Sequence, residues 1–515
     1  MLRITGVDGL SSSDLYSGKR FRRAIQHFLL GRTAQAIASL ILTLWLVRLL
    51  IPTDYGIYMV LWGMVDMMVP LSSFGMLEAV RRFLPELATR GAPGALIWFV
   101  RWMTLIRLII MALWAMLIAI FWPTIAAWMG FSVPQQDATL LAVGLIITVI
   151  SFRYASEMLE CLLEQRWSQL LQAFMPWGRL TGVAVLLVTG NLTLEQLLWV
   201  DFAVSLSCFL LAEFFLMQKL RNLHGTGDFR VSAHEILNFA WNMAGVNLLR
   251  AVASFGAMRI LVARTLGLEA AGMFAFLQQL LIIIGRYLPA RLLTNVIRPM
   301  LISRYVAGEI DVVKQGMALL WKSNLLVITA CMVAIVVAGD SLIMVASSGR
   351  FVDAGMLMLI MLLGLGATSQ GQLVIMIMQI FPYTRQLKYF SLLSVMSPLA
   401  VIIGSNWGLI GVASGIVLSV WLLNSLTLLW LNRQAGSMEL DWVGILRGLG
   451  LAILLAIIGW VVEFEFGPWE AVALVLLIYG PGLMLVKPLN QLDMALLERG
   501  LRHRARFFAL FARKN

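Results

Sequence analysis

The chain has 515 residues, of which 60% are hydrophobic and only 13% charged, and its mean hydropathy is +0.88. A soluble globular chain carries about 25% charged residues, so there is too little polar side chain here to cover a water-facing surface. Lys and Arg together number 39 against 27 Asp and Glu, a formal net charge of +12. That balance would suggest nucleic acid in a soluble protein, but in a membrane chain it first reports topology. Disorder, collagen and coiled coil are excluded by the absence of a charge excess and of the required periods.

The first 23 residues are polar and basic and contain no cleavable apolar core, so no removable signal peptide is expected. Beyond them, apolar runs of about 20 residues read as spanning helices, because in lipid the backbone must satisfy its own hydrogen bonds. Fourteen such runs centre on 27–50, 55–75, 95–122, 138–158, 169–190, 194–218, 237–263, 270–296, 315–339, 354–380, 388–405, 408–431, 445–462 and 469–486. Ile51-Pro52-Thr53-Asp54 and Ser405-Asn406-Trp407-Gly408 carry turn chemistry and separate neighbouring runs. The expectation is an all-α polytopic membrane protein of about 14 transmembrane helices. It divides into a cytoplasmic basic segment at 1–26, a six-helix bundle at 27–218, a cytoplasmic linker at 219–236 and a second six-helix bundle at 237–431. Helices 13 and 14 at 432–487 and a basic amphipathic cytoplasmic tail at 488–515 complete it.

Charge tests this count. With the N-terminus in the cytoplasm, the inward segments hold 26 basic residues and the outward segments only Arg264 and Arg350. A wrong number of helices would have mixed the two sets, so both termini are expected on the cytoplasmic side. An internal repeat agrees: Val47-Arg48-Leu49-Leu50 with Gly56-Ile57-Tyr58 recurs as Ala263-Arg264-Thr265-Leu266 with Gly272-Met273-Phe274. The offset of 216 residues also carries Arg82 to Arg298. Six helices per half is an even number, so the halves share one orientation and a pseudo-two-fold along the membrane normal.

The remaining eleven basic residues fall inside the runs: Arg32, Arg48, Arg101, Arg107, Arg153, Arg179, Arg250, Arg259, Arg286, Arg291 and Lys322. A cation at bilayer depth costs at least about 2.5–3.5 kcal/mol on insertion scales, so each must snorkel, pair or line a watery cavity. Arg48, Arg101, Arg259 and Arg291 lie within two turns of a membrane face, where snorkelling is the simplest account. Arg107, Arg179, Arg250 and Arg286 lie deeper. Several share a helix face with other polar groups: Arg32 with Gln35, Ser39 and Thr43; Asn247 with Arg250 and Ser254; Gln172 with Arg179; Gln279 with Arg286. Ser369, Gln372 and Gln379 form an uncharged stripe. Such stripes suit either a polar cavity between two bundles or buried hydrogen bonds that hold helices together; arginine favours the cavity, since helix adhesion needs only Ser, Thr or Asn. An arginine-lined cavity suits phosphate or carboxylate through bidentate hydrogen bonds. Acids at depth are few: Asp66, Glu157, Asp201 and Glu213. Asp66 is a candidate coupling carboxylate, or the partner of Arg107 or Arg250.

No GxxxxGK[ST], HExxH or GxSxG motif occurs, and Cys161, Cys208 and Cys331 lack the spacing of a metal or redox site. The expectation is therefore no cofactor, no metal and no enzyme. Two basic amphipathic stretches, Lys19–His27 and Glu498–Arg513, suit the anionic inner leaflet.

The run Leu46-Val47-Arg48-Leu49-Leu50-Ile51-Pro52-Thr53-Asp54-Tyr55-Gly56-Ile57-Tyr58 resembles the polysaccharide transporters of the multidrug/oligosaccharidyl-lipid/polysaccharide superfamily. So do Ser73-Phe74-Gly75-Met76 and Arg81-Arg82-Phe83-Leu84-Pro85-Glu86. That superfamily includes Wzx O-antigen flippases, the lipid II flippase MurJ and the MATE transporters. The resemblance implies a V-shaped pair of bundles, a central cationic cavity, alternating access, and a groove for a polyprenyl tail beside helices 13 and 14. It also implies that Arg32 and Arg286 hold a pyrophosphate, with Arg250 and Arg179 nearby. The first helix, 27–50, contains no acid, unlike the drug-exporting relatives. The expected function is a bacterial inner-membrane flippase for an undecaprenyl-pyrophosphate-linked oligosaccharide, used in exopolysaccharide or lipopolysaccharide assembly. Its partners would be that lipid-linked oligosaccharide, the membrane and a polymerase or glycosyltransferase complex, with no nucleic acid. Two alternatives are a cation-coupled drug antiporter of the same fold and a non-transporting scaffold for a glycan-assembly complex.

Overall fold

A computed structural model describes residues 18–90, 93–162, 164–190, 192–221, 231–291, 301, 304–305, 308–381, 383–436, 440–501 and 508–513. Much of the expected linker, position 298 of the repeat, most of the N-terminal segment and part of the basic tail lie outside the described residues. The described residues are helical almost throughout, as a chain without water at its surface must be.

The first half runs α1 (Gly18–Leu49), α2 (Pro52–Ser73), α3 (Met76–Arg90) and α4 (Pro93–Ile120). The short helices α5 (Trp122–Trp128) and α6 (Val133–Thr139) follow, then α7 (Leu141–Cys161), α8 (Gln165–Val188) and α9 (Leu194–Arg221). The later helices are α10 (Ala233–Val252), α11 (Phe255–Leu266), α12 (Leu268–Arg286), α13 (Ile310–Ser347), α14 (Gly355–Ile380), α15 (Thr384–Leu392), α16 (Met396–Gly404) and α17 (Gly408–Ala435). Last come α18 (Trp442–Phe466), α19 (Pro468–Val486) and α20 (Gln491–Leu501).

Among the described residues, 12 stretches are long and apolar enough to cross a membrane, and α10 with α11, bent by 40°, makes a thirteenth. One stretch, Tyr389–Gln434, is 46 residues long and holds two of the expected spans. It doubles back at Gly408, whose φ is +68°, where the backbones of Gly404 and Gly411 meet directly. Ser397 and Ser419 Oγ bond across the resulting pair at 2.9 Å. That stretch folds back on itself and covers the two expected runs 388–405 and 408–431. The segment between the third and fourth spans forms α5 and α6, the latter opened by a Ser132/Gln135 capping box.

The chain packs as two compact units, Met1–Gly272 and Met273–Asn515. In the first, Phe83, Phe99, Met103, Tyr154, Met158 and Leu216 belong to one buried core shared by α3, α4, α7 and α9. The seventh span packs with this unit. Gly63 on α2 and Gly256 on α11 lie backbone to backbone. Gly56 and Gly272, which stand 216 residues apart, touch, with the Cβ position of Gly272 only 3.3 Å from Gly56 Cα. Thr53 Oγ1 donates to Glu269 Oε1 at 3.4 Å, again 216 residues apart. A side chain at either glycine would enter backbone, so Gly56→Val and Gly272→Val are each expected to destabilise by about 1–3 kcal/mol through overpacking, read as a lowered melting temperature of the purified protein.

In the second unit, Val333, Val337, Leu455, Ala471, Val475 and Tyr479 pack α13 against α18 and α19. α13 extends past the expected 339 to Ser347, with a non-helical residue, Ala338 (φ −145°), inside it. Lys322 on α13 is buried. Its Nζ donates to Asp441 Oδ2 at 2.9 Å, to the Pro488 carbonyl at 3.2 Å and to Asp493 Oδ2. Arg513 Nη2 donates to the other oxygen of Asp441 at 3.1 Å, while its N–H bonds the Leu489 carbonyl at 2.9 Å. The end of the tail, expected on the lipid surface, is therefore clasped to the helices at this point. Burial pushes the Asp441 carboxyl up. Hydrogen bonds from Lys322 and the Gly444 N–H, with the charges of Lys322 and Arg513, outweigh that and hold it below the ordinary value of 3.8. Its stabilising contribution is present above that value and is lost as pH falls through the lower folded-state value. Wild type should therefore lose melting temperature on acidification below about pH 4, and Asp441→Asn should be destabilised at neutral pH and show less of that acid-dependent loss.

Candidate functional site

The polar groups of the first unit form three clusters. The deepest joins α8 to α9. Arg179 and Asp201 stand eleven residues on either side of Gly190, the turn between these antiparallel helices, so they are level with each other. Arg179 Nε donates to Asp201 Oδ1 at 2.6 Å and its Nη2 to Oδ2 at 3.2 Å. The carboxylate is 0% exposed. It also accepts Tyr58 Oη at 2.8 Å and Trp62 Nε1 at 3.1 Å. Arg179 Nη2 donates to Tyr58 Oη as well, and the guanidinium lies over the Trp62 ring at 4.3 Å from its centroid. A buried pair survives only when further hydrogen bonds satisfy both partners; α2 supplies them from positions four residues apart.

One turn further along that face of α2 stands Asp66. Its partners are Arg153 on α7, with Nη2 at 3.0 Å from Oδ1, and Arg259 on α11, with Nη1 at 3.7 Å from Oδ2. This differs from the expected pairing with Arg107 or Arg250. It also corrects Arg259, which is wholly buried rather than snorkelling. Arg107 is held elsewhere. It continues the inward stripe Phe99, Met103 and Met111 of α4 and lies over the Tyr154 ring at 4.8 Å. Its Nε and Nη1 have no hydrogen-bond partner among the described residues. Asp66 and Arg153 are partly exposed, at 31% and 44%, although they project from two of the most buried helices of the unit.

The third cluster lies where α1, α7 and α8 meet. A Cβ on Gly31 would stand 2.6 Å from Gln169 Cβ, so α1 approaches α8 closely. Arg32, half-buried, follows directly on α1. Glu160 Oε1 accepts Gln172 Nε2 at 2.7 Å, Ser168 Oγ at 2.8 Å and Gln169 Nε2 at 3.0 Å. Gln35, one turn beyond Arg32, is also half-buried.

Asn247 is buried and donates to Ser73 Oγ and to Glu78 Oε2, both at 3.0 Å, fastening α10 to α2 and α3. Arg250, nearly one turn on, is exposed and has no ion-pair partner among the described residues. In the second unit, Gln279 is half-buried, Arg286 occupies the last turn of α12 and Gln372 is exposed on α14. The structure thus brings Arg179 to an acid that occupies its guanidinium, and brings Arg32 to a polar cluster. Arg153, Arg259, Glu160, Tyr58 and Trp62 were not selected from sequence. The equal distances of Arg179 and Asp201 from Gly190, and the four-residue spacing of Tyr58, Trp62 and Asp66, were signals that could have found part of this set.

The fold and these intramembrane charges define a polytopic helical membrane protein. No family model matches the chain, and no curated protein matches it in sequence. Solved structures do match. An inward-facing multidrug-resistance MATE family transporter of the MOP superfamily aligns with TM-score 0.64 at 12% identity, covering 78% of this chain and 94% of its own. The lipid II flippase MurJ, in an inward closed conformation, aligns with TM-score 0.65 at 13% identity over 88% and 97%. The Vibrio cholerae MATE transporter VcmN aligns with TM-score 0.54 at 13% identity over 82% and 97%. At these identities the likeness is one of fold, shared with the MATE transporters and with MurJ.

Removing Arg179 would leave the Asp201 charge buried without its counter-ion. Arg179→Ala is expected to destabilise by about 3–5 kcal/mol. Arg179→Met with Asp201→Leu should recover most of that loss in thermal melts, since the pair is then replaced by apolar volume.

Proposed function

We propose that the chain is a flippase that moves an undecaprenyl-pyrophosphate-linked oligosaccharide across the bacterial inner membrane by alternating access, both termini being cytoplasmic. The observation that carries this reading is the balance of charge inside the spans. Two of the acids at depth face particular arginines: Asp201 pairs with Arg179, and Asp66 with Arg153 and Arg259. Arg250 remains exposed with no acid partner among the described residues, and Arg32 and Arg286 are only half-buried. An exposed or half-buried guanidinium suits an anion such as pyrophosphate. Arg32, Arg250 and Arg286 are the proposed anion-binding residues, with Gln35, Asn247, Gln279 and Gln372 as polar neighbours. Arg179 acts from behind, by fixing α2 through Tyr58 and Trp62. The likeness to MurJ, which extends over 88% of the chain against 78% for the MATE transporter, supports a fold able to carry a lipid-linked cargo.

The drug-antiporter reading draws on the same likeness to MATE transporters, but an organic cation needs an acid that can be surrendered to it. Asp66, the residue proposed for coupling, already faces two arginines. Without a nucleotide site, the drive is the membrane potential or an ion gradient.

The test is the amount of lipid-linked oligosaccharide in cells depleted of this protein and then supplied with wild type or Arg250→Ala/Arg286→Ala. Each lost charge-assisted hydrogen bond removes about 1.5–3 kcal/mol. A cytoplasm-facing intermediate should accumulate, be cleared by wild type and be cleared about tenfold or more slowly by the double variant. Full clearance by the double variant would favour a scaffold, and altered drug sensitivity without accumulation would favour the antiporter.

A further inference from the structure

We propose that Arg153 of α7 is a further anion-binding residue of the first unit, and that Asp66 holds its guanidinium toward the ligand while competing with the ligand for it. The inference rests on the anion-carrying reading above and adds to it an arginine that the reading counts only as the partner of an acid.

Exposure singles this place out. Tyr55 to Val65 of α2 are buried without interruption, and burial is first relieved at Asp66. Of the 21 residues of α7, Arg153 alone is exposed. The two are joined: Arg153 Nη2 donates to Asp66 Oδ1 at 3.0 Å. Asp66 stands seven residues from the end of α2 at Ser73 and Arg153 eight from the end of α7 at Cys161, so both lie roughly 11 Å inside their helices. A lone arginine reaches a membrane face from there by snorkelling. The short aspartate cannot, and the bond to Asp66 keeps the guanidinium at its depth. Charged groups at that depth face the bundle interior or water, not lipid. The exposed side of the pair therefore lines a watery opening of the first unit.

The charge of the cluster decides the ligand. Asp66 faces two cations, Arg153 and, with Nη1 at 3.7 Å from Oδ2, the wholly buried Arg259. The next acid along α7, Glu157, is engaged by Arg81 of α3 at 2.6 Å. Two guanidinium groups against one carboxylate leave a surplus positive charge, which repels a cation and suits an anion. Arg153 is the member placed to use it. One of its N–H groups meets Asp66, and the others have no hydrogen-bond partner among the described residues. A phosphate oxygen can take those donors, or displace Asp66 from Nη2, because Asp66 keeps Arg259 and is not left as an uncompensated charge. The Asp66 charge lies within a few ångströms of the same site and opposes the anion. The acid thus presents the guanidinium and limits how tightly it binds, as a carrier that must release its cargo requires. The chemistry recognised is a phosphate or pyrophosphate group, on a lipid or free.

The experiment titrates the purified full chain in nanodiscs by calorimetry with farnesyl pyrophosphate and, separately, with inorganic pyrophosphate. Wild type, Arg153→Gln and Asp66→Asn are compared, each checked for folding by its melting temperature without ligand. Arg153→Gln should bind about tenfold or more weakly, through loss of charge-assisted hydrogen bonds. Asp66→Asn should bind about threefold or more tightly than wild type, because an opposing charge is removed. Opposite shifts from the two halves of one ion pair are the expected result, since a purely structural pair would weaken binding from either side. If Asp66→Asn melts too low to titrate, Arg153→Lys takes its place; it keeps the charge without the planar fork and should fall between wild type and Arg153→Gln. The same Arg153→Gln loss with both probes would support a subsite open to free pyrophosphate, and a loss confined to farnesyl pyrophosphate would support a lipid headgroup at Arg153. Arg153→Gln binding like wild type, or both variants weakened alike, would overturn the inference while leaving the anion site of Arg32, Arg250 and Arg286 standing. No binding of either probe by wild type would overturn both.

Discussion

A guanidinium inside a membrane protein must have its charge answered, and in this chain that requirement organises the first unit. Water is absent, so each arginine at depth meets an acid, an aromatic face or an opening. Arg179 meets Asp201 and stacks on Trp62; Arg107 lies on Tyr154; Arg153 and Arg259 share Asp66. These pairings tie α2 to α7, α8, α9 and α11 by polar contacts that tolerate little substitution. Dispersion packing alone, between leucine faces in lipid, would leave the register of the helices much less defined.

Small residues do the complementary work. Where two backbones must touch, the chain places glycine against backbone: Gly56 with Leu268 and Gly272, Gly63 with Gly256, Gly404 with Gly411. Close approach lets helices gain contact area without a hydrophobic driving force. The contacts at Gly56 and Gly272 also relate the two copies of the repeat, so one sequence feature explains both an element of symmetry and a packing site.

The charge pattern bears on function through what remains after pairing. Asp66 and Asp201 are bound to arginine, while Arg250 is exposed and Glu160 is held by neutral donors. A transporter for an anionic, lipid-linked cargo needs a cationic surface that can be discharged and restored.

Much of the architecture was legible in the sequence. Hydropathy and the distribution of lysine and arginine specify how many times the chain crosses the membrane, because the cost of burying an unsatisfied backbone or a charge in lipid is local and large. The 216-residue repeat was legible for the same reason: identical turns need identical residues. The partners of the buried charges were not. Asp66 was as compatible with Arg107 or Arg250 as with Arg153, since periodicity places a residue on a face but does not say which helix that face meets. Glu160 falls just beyond the fourth apolar run, at 138–158, and gained meaning only when α1 and α8 closed around it. The sequence by itself determined the spans and the surplus of arginine; only tertiary packing decided which arginines are neutralised, because ion pairing depends on distances of a few ångströms between helices far apart in the chain.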